Sequence, residues 1–397
     1  MKILFIAGTR PEYIKLAPLY LEMQQSHESD ENAEIVVPRQ PYLLKWIISN
    51  QHSKQILSDL IDLWGIKIDA EFNLVNEGLD LAELAAGLLK EANRLIKEEQ
   101  PDLIIVQGDT LTALEVSRAA FFNRVALAHL EAGLRTNSIY APYPEELSRR
   151  VISEIADYHF CPSIRAYETL IKEKKSSENI FLTGNTVIDA LLIALKKISL
   201  KANPEKYILV SSHRRENLEN AMQANLIMAI KNILIKQREK ALDKRVKFFI
   251  CLHSNPKAKQ AFINLSLELC EEDREHIRLI EKTTYLEFIE LMLNSLFVIT
   301  DSGGVQEEAP YLSKQLLVLR ELSEREEIIA PNQASLLVNN LDEMEKHIES
   351  LIEWSLENYK EGNSREILDR VLKQGFRDLA YGDGTAAKKI SEYLLEL

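Results

Sequence analysis

The sequence predicts an α/β protein made of two doubly wound domains facing one another. Short apolar runs alternate with helix-compatible stretches in both halves of the chain, the pattern of parallel strands buried on both faces. Several of these runs end in glycine or small polar residues just before a helix start, where open α/β sheets bind ligands. A length of 397 residues is enough for two hydrophobic cores.

Taken in order, Lys2–Ala7 reads as the first buried strand and Gly8 as its turn. Thr9 suits an N-cap and Pro11 the first helical turn. Arg10 and Lys15 then lie at and just inside a helix start, on the ligand-binding edge. Residues 26–34 are polar and read as a loop, Ile35, Val36 and Val37 as a short strand, and 38–48 as irregular. Ile56, Leu57, Leu60, Ile61 and Trp64 share one helical face, and a longer helix from about 80 to 99 ends before Pro101. The next strands are Leu103 to Val106, followed by Gly108-Asp109-Thr110, and Leu127 to Leu130, followed by Glu131. Asp109 and Glu131 thus occupy the same relative position, and Glu145 opens a helix after Pro144. Each acid alone reads as a cap or a loop ion pair; three recurring at strand ends or in adjoining loops mark a candidate site. A strand at Tyr158–Cys161 closes this half. The run from Ile180 to Asn185 starts the crossover, and the lysine-rich stretch near 196–206 reads as a hinge.

The second half repeats the alternation. Tyr207 to Val210 precedes Ser211-Ser212-His213, and Phe248 to Leu252 precedes His253. Leu296 to Ile299 precedes Thr300-Asp301-Ser302-Gly303-Gly304, and Leu316 to Leu319 precedes Arg320. The two glycines let a ligand approach the backbone, and the N–H groups of a first helical turn attract an anion. With Glu307 and Glu308 available to hydroxyl groups, the segment fits a nucleotide or nucleotide-sugar; a plain capped turn fits it too. A last helix is expected over about 385–396.

A net charge of −13 argues against nucleic-acid and anionic-membrane partners. Cys161, Cys251 and Cys270 are scattered without a C-x-x-C pair, which suits a reducing compartment. The histidines lack metal-ligand spacing, so no metal site is expected. The apolar N-terminal run is too short for a signal peptide, and no run approaches the roughly 20 residues of a membrane span. These features together point to the cytoplasm.

Gly8-Thr9-Arg10-Pro11-Glu12 with Lys15, Gly108-Asp109-Thr110, Glu131-Ala132-Gly133-Leu134-Arg135-Thr136 and Pro144-Glu145-Glu146 resemble the non-hydrolysing UDP-N-acetylglucosamine 2-epimerases. So do Thr183-Gly184-Asn185-Thr186, His213 to Asn217, Asp301 to Pro310 and Tyr381-Gly382-Asp383-Gly384, in order along the whole chain. The resemblance implies the GT-B architecture, two Rossmann-like domains across a cleft. The N-terminal one would span 1–185 plus a C-terminal helix at about 376–397, and the nucleotide-binding one 186–375. It also implies Asp109, Glu131 and Glu145 as catalytic acids, with His213 near the diphosphate. Arg10, Ser302, Gly303 and Gly304 would hold phosphate, Glu308 the ribose, and Phe288 would stack on uracil. Phe288 also fits a core stripe with Tyr285, Ile289 and Met292. Lys15, Arg135 and Arg320 are further substrate-binding candidates. No cofactor is implied; a UDP-sugar substrate and a homodimer are.

Two departures stand out. The family carries Thr-Gly-Gln-His after its second strand, whereas the strand expected at 35–37 is followed by Pro38-Arg39-Gln40-Pro41 and about ten further residues before Asn50-Gln51-His52, which puts activation by a second substrate molecule in doubt. Ser313-Lys314-Gln315 replaces Gly-Lys-Pro, and Glu326 replaces a proline, so the sugar specificity could differ.

The chemistry explains the inventory. C2 of N-acetylglucosamine is not beside a carbonyl, so its proton cannot simply be removed and returned, and no nicotinamide fingerprint is present. Elimination of UDP to a glycal, followed by re-addition, needs acid/base groups on two faces and a clamp on the departing diphosphate. The alternatives are the same reaction on a modified UDP-hexosamine, a GT-B glycosyltransferase, and an inactive nucleotide-sugar binder.

Overall fold

The computed structural model describes residues 1–28, 42–74, 78–136, 138–173, 177–200, 205–212, 221–252, 256–320, 335–337, 340–358, 363–374 and 379–396. The chain divides into two compact units, Met1–Leu191 with Phe376–Leu397, and Leu192–Gly375.

The first unit alternates β1 (Lys2–Ala7), α1 (Arg10–Glu28), β2 (Leu43–Ile48), α2 (Lys54–Trp64), β3 (Ala70–Glu71) and α3 (Leu81–Glu99). It continues with β4 (Leu103–Gln107), α4 (Leu111–Asn123), β5 (Ala126–Leu130), α5 (Glu145–Ile155), β6 (Tyr158–Cys161), α6 (Ile164–Lys172) and β7 (Ile180–Leu182). Helix α7 (Thr186–Lys197) crosses into the second unit. That unit holds β8 (Tyr207–Ser211), α8 (Ala221–Gln237), β9 (Lys247–Cys251), α9 (Pro256–Glu268), α10 (Glu271–Arg274), β10 (Ile277–Ile280) and α11 (Tyr285–Asn294). Then follow β11 (Val298–Thr300), α12 (Gly303–Glu308), β12 (Leu316–Val318), β13 (Ser335–Leu337), α13 (Leu341–Glu357) and α14 (Asn363–Gln374). Helix α15 (Ala386–Leu395) belongs to the first unit.

Both sheets are parallel. Their orders are β3-β2-β1-β4-β5-β6-β7 and β10-β9-β8-β11-β12-β13. In each, the chain starts in the middle, winds outwards, then returns to build the other side. The strand order therefore reverses between β1 and β4 in one sheet and between β8 and β11 in the other. Ligands bind at such reversal points, outside the carboxyl ends of the strands. The strands are apolar on both faces because helices cover both. Leu4, Ile6, Ile104, Val106 and Leu127 pack with Leu88, Ala92 and Val116 on one side of the first sheet. On the other side Phe5, Tyr13, Tyr20 and Trp46 form an aromatic cluster with centroid spacings of 4.7 to 6.0 Å. Ile208, Val210, Phe248 and Ile250 pack in the same way against Leu226 and Ile230 in the second unit.

The second strand differs from the sequence reading. Residues 35–37 lie outside the described residues, and the strand beside β1 is Leu43–Ile48, within the stretch read as irregular. Ser49-Asn50-Gln51-His52 follows it directly. The segment standing where Thr-Gly-Gln-His is usual is therefore Ser-Asn-Gln-His, and the first departure narrows to Ser49 for threonine and Asn50 for glycine. Asn50 takes φ 59°, the left-handed conformation asparagine tolerates best after glycine.

The C-terminal segment is tied to the first unit by backbone contacts that need glycine. Asn185 N donates to Tyr381 O at 3.0 Å, and a Cβ on Gly184 (φ +91°) would lie 2.8 Å from that oxygen. Asp189 on α7 caps α15 from outside, accepting from Ala386 N at 3.2 Å and Ala387 N at 3.0 Å. Among the described residues, no helix is long and apolar enough to cross a membrane.

Candidate active site

In the first unit, the residues following β1, β4 and β5 meet at the reversal point. Thr9, Arg10, Pro11 and Glu12 open α1 as a Thr-x-x-Glu capping sequence. Glu12 is fully buried and accepts from Gly8 N at 3.0 Å, Thr9 N at 2.7 Å and Thr110 Oγ1 at 2.6 Å. Thr110 in turn caps α4 through Ala113 N. Glu12 thus joins the β1 turn to the turn carrying Asp109. Motif reading does not single it out as a site-organising residue, although the Thr-x-x-Glu spacing signals it.

Lys15, one turn further along α1, is buried and pairs with Oε2 of Glu131. The same oxygen accepts from Gln107 Nε2 at 2.9 Å and Asn185 Nδ2 at 3.4 Å. Glu131 has φ 63°. A left-handed glutamate costs about 1 kcal/mol or more, and such outliers cluster at functional sites. Asp109 is bound by Arg149 of α5, which also donates to Glu146 Oε2 at 3.2 Å. His129, two residues before Glu131, contacts Gly108 O through Nε2 at 2.8 Å and so fixes the turn before Asp109. Burial holds His129 down at about 3, so the ring is neutral and its Nε2 carries the donated proton. Glu145 is the half-buried first residue of α5, beside the fully buried Glu146.

Two other candidates point elsewhere. Arg10 pairs with Asp59 of α2 and donates to Ile56 O at 2.8 Å. Arg135 grips Glu173 with two bonds of 2.9 Å and reaches Ser153 Oγ at 3.0 Å. Neither bonds an acid of the set through these contacts. Gln107, Asn185 and Arg149 hold the acids and receive no site role from motif reading, although Asn185 lies within the Thr183-Gly184-Asn185-Thr186 motif. An arginine one turn after Glu145 and Glu146 is the signal that points to the last of them.

In the second unit, β8 and β11 end side by side at the other reversal point. Thr300 Oγ1 donates to Ser211 O at 2.9 Å and accepts from Ser302 N at 3.0 Å. Ser212 Oγ donates to Asp301 at 2.9 Å, while Arg320 holds the Asp301 carbonyl oxygen through Nε at 2.9 Å and Nη2 at 2.8 Å. The network fixes the turn that presents Ser302, Gly303 and Gly304. Ser302 stands at the N-cap of α12 without a side-chain capping bond, and a Cβ on Gly304 would meet nothing within 4 Å. Glu308 is buried and accepts from Tyr285 Oη. On α11, Tyr285, Ile289 and Met292 form the core face, whereas Phe288 is only half-buried. His213 and Glu326 lie outside the described residues. Ser313 has φ 57°, where glycine is usual, and accepts from Arg370 at 2.6 Å. That substitution therefore sits in a helix-end turn.

Burial lifts Glu12 from 4.5 to about 7 and outweighs its three hydrogen bonds. The folded state therefore binds a proton that the unfolded chain has released. The stabilising contribution is complete below about pH 4.5 and is lost as pH rises through about 7, by up to ~3 kcal/mol. Glutamine can accept from Gly8 and Thr9 and donate to Thr110 without titrating. Glu12→Gln is expected to stabilise the fold at pH 8 by about 1–3 kcal/mol and to flatten the pH dependence. Asp189, raised to about 7 by burial, keeps part of the slope. Melting curves of both proteins at pH 5 and pH 8 check this; parallel shifts would refute it.

Residues 38–395 match the family described as UDP-N-acetylglucosamine 2-epimerase. The chain is 36% identical to the enzyme of that name from Bacillus subtilis, covering 100% of this chain and 95% of the relative. With the Campylobacter jejuni enzyme the identity is 35%, covering 100% and 97%. The crystal structure of UDP-GlcNAc 2-epimerase from Neisseria meningitidis bound to UDP-GlcNAc is similar with a TM-score of 0.84 and 32% identity, covering 100% of each chain. The chain belongs to the UDP-N-acetylglucosamine 2-epimerase family.

Proposed function

We propose that this member of the family interconverts UDP-N-acetylglucosamine and UDP-N-acetylmannosamine, working in the cytoplasm as a homodimer that supplies a surface polysaccharide. The substrate is the one carried in the relatives' names, and the homodimer is implied by the family resemblance. The observation that carries the reading is the pair Asp109 and Glu131. They end neighbouring strands, and each is held by a buried cation. A group among Asp109, Glu131 and Glu145 removes the C2 proton as the C1–O bond breaks and UDP departs, leaving a glycal. A second member protonates C2 from the opposite face while UDP re-adds at C1, so no atom is gained or lost.

The second unit is assigned the nucleotide. Ser302 offers its hydroxyl and Gly303 and Gly304 offer backbone N–H groups and space to the diphosphate, Glu308 takes the ribose hydroxyls, and the half-buried face of Phe288 stacks on uracil. His213 and Arg10 are assigned to the diphosphate, Arg10 after exchanging Asp59 for it. Lys15 orients Glu131. Arg135 and Arg320 are assigned to supporting the loops they bind.

Proton NMR in heavy water with UDP-N-acetylglucosamine tests the reading. Formation of the manno epimer, with deuterium at C2 of both sugars, is expected. Free UDP accumulating with N-acetylmannosamine would point to hydrolysis, and an unchanged spectrum would refute the reading.

A further inference from the structure

We propose that Arg149 is a positioning residue that grips Oδ2 of Asp109 and thereby presents Oδ1 to the proton at C2. The proposal rests on the epimerase reading above. Nε of Arg149 donates to Oδ2 at 3.1 Å, and Nη2 donates to the same oxygen. Among the described residues no bond to Oδ1 accompanies them. A purely structural arginine–carboxylate pair favours a fork-to-fork arrangement that occupies both oxygens. Here the fork closes on one. Exposure separates the partners as well: the Asp109 side chain is 24% exposed and that of Arg149 only 4%. The acid faces outwards and its holder does not.

The far end of the guanidinium is anchored too. Nη1 donates to Glu146 Oε2 at 3.2 Å, and Glu146 is fully buried. Glu146 also accepts from Thr136 N at 3.0 Å and from Arg150 Nε at 2.7 Å. Thr136 lies five residues after Glu131, and Glu146 adjoins Glu145. One planar cation therefore ties the turn of Asp109 to the loop of Glu131 and to the helix start of Glu145. An aspartate with a quarter of its surface open would otherwise rotate about Cβ–Cγ. Proton transfer needs the acceptor oxygen in one place, and displacement by about 1 Å costs roughly 100-fold. Lysine can supply the charge but not the fork, because an ammonium is a point donor.

The test uses full-length Arg149→Lys, assayed for epimerisation alongside the wild type. The expected result is kcat lower by about 100-fold, with KM and UDP affinity within about twofold. The C2-deuterium isotope effect on kcat is expected to rise, because proton transfer becomes slower relative to the other steps. A merely structural role would lower activity with the folded fraction and leave the isotope effect where it was. A folded Arg149→Lys with kcat within about threefold of the wild type overturns the proposal, as does an unmoved isotope effect. If that variant does not fold, Glu146→Gln loosens the far end of the fork while keeping an acceptor. A raised isotope effect in Glu146→Gln supports the proposal, and an unchanged one overturns it. Failure of the wild type to exchange C2 hydrogen overturns the epimerase reading and this inference together. With normal wild-type exchange, the variants alone decide whether Arg149 positions the acid.

Discussion

Replacing Asp109 by asparagine is expected to lower kcat by about a thousandfold while leaving UDP affinity within about twofold of the wild type. Asparagine has nearly the same shape, so the β4 turn and its contacts at Gly108 survive. Arg149 offers only donors to this side chain, through Nε and Nη2. It therefore draws the amide oxygen towards itself and forces the NH2 group to where Oδ1 stood. The substrate then meets a donor in place of a proton acceptor. General acid–base groups contribute about 100- to 10,000-fold, and a wrongly oriented amide retains none of that. The residues assigned to UDP belong mainly to the second unit, so binding is left nearly intact. Steady-state epimerisation combined with UDP calorimetry separates these outcomes. Turnover within a few fold of the wild type would remove Asp109 from the acid/base set.

Most of this arrangement is legible in the sequence because parallel strands announce themselves. Lys2–Ala7, Leu103–Gln107 and Val298–Thr300 are largely apolar, and the polar residues that matter follow them at once. The strand at Leu43–Ile48 is hidden for a physical reason. Lys45 interrupts the run, and its ammonium reaches Glu99 at 2.7 Å while the stem stays in the sheet. Leu43 is exposed, so neither period two nor an unbroken apolar run marks the segment. Without that strand the following motif is displaced, and a departure results that the structure reduces to Ser49 and Asn50. In its true place Gln51 accepts from Thr112 N at 3.0 Å and from Thr112 Oγ1 at 2.7 Å, and His52 accepts from Arg10 N at 3.3 Å. Motif spacing identifies the acids, but not what holds them. Arg149, Gln107 and Asn185 come from separate elements, and only the folded sheet brings them to Asp109 and Glu131. Sequence also places Arg10 on the ligand-binding edge and Arg135 just after Glu131 without revealing that Asp59 and Glu173 bind them.

Gly133→Ala is expected to destabilise the first unit by about 3 kcal/mol or more, a loss larger than a change of one methyl group normally brings. Gly133 has φ +93°, and an ideal Cβ there would lie 2.2 Å from the carbonyl oxygen of Ala166 and 2.8 Å from its carbonyl carbon. Those atoms are backbone in α6, so no flexible side chain can swing aside. The loop must move, or the helix must. Gly65 supplies the control, because it too is left-handed (φ +65°) but a Cβ there meets nothing within 4 Å. Gly65→Ala should therefore cost only the left-handed strain, about 1 kcal/mol. For a unit of this size each kcal/mol lowers the melting temperature by about 2–4 °C, so Gly133→Ala should melt several degrees below Gly65→Ala. Equal melting temperatures would show that the loop yields freely. Catalysis should follow stability here, since Glu131 is two residues away and its Oε2 is bound by Lys15 and Gln107. A shift of the loop that relieves the added methyl group against α6 pulls Glu131 from these donors. The folded fraction of Gly133→Ala should consequently turn over more slowly than that of Gly65→Ala, and rates normalised to folded protein at low temperature distinguish the two. The glycine of the Glu-Ala-Gly motif is thus required by the close approach of α6, and the position of the acid depends on it.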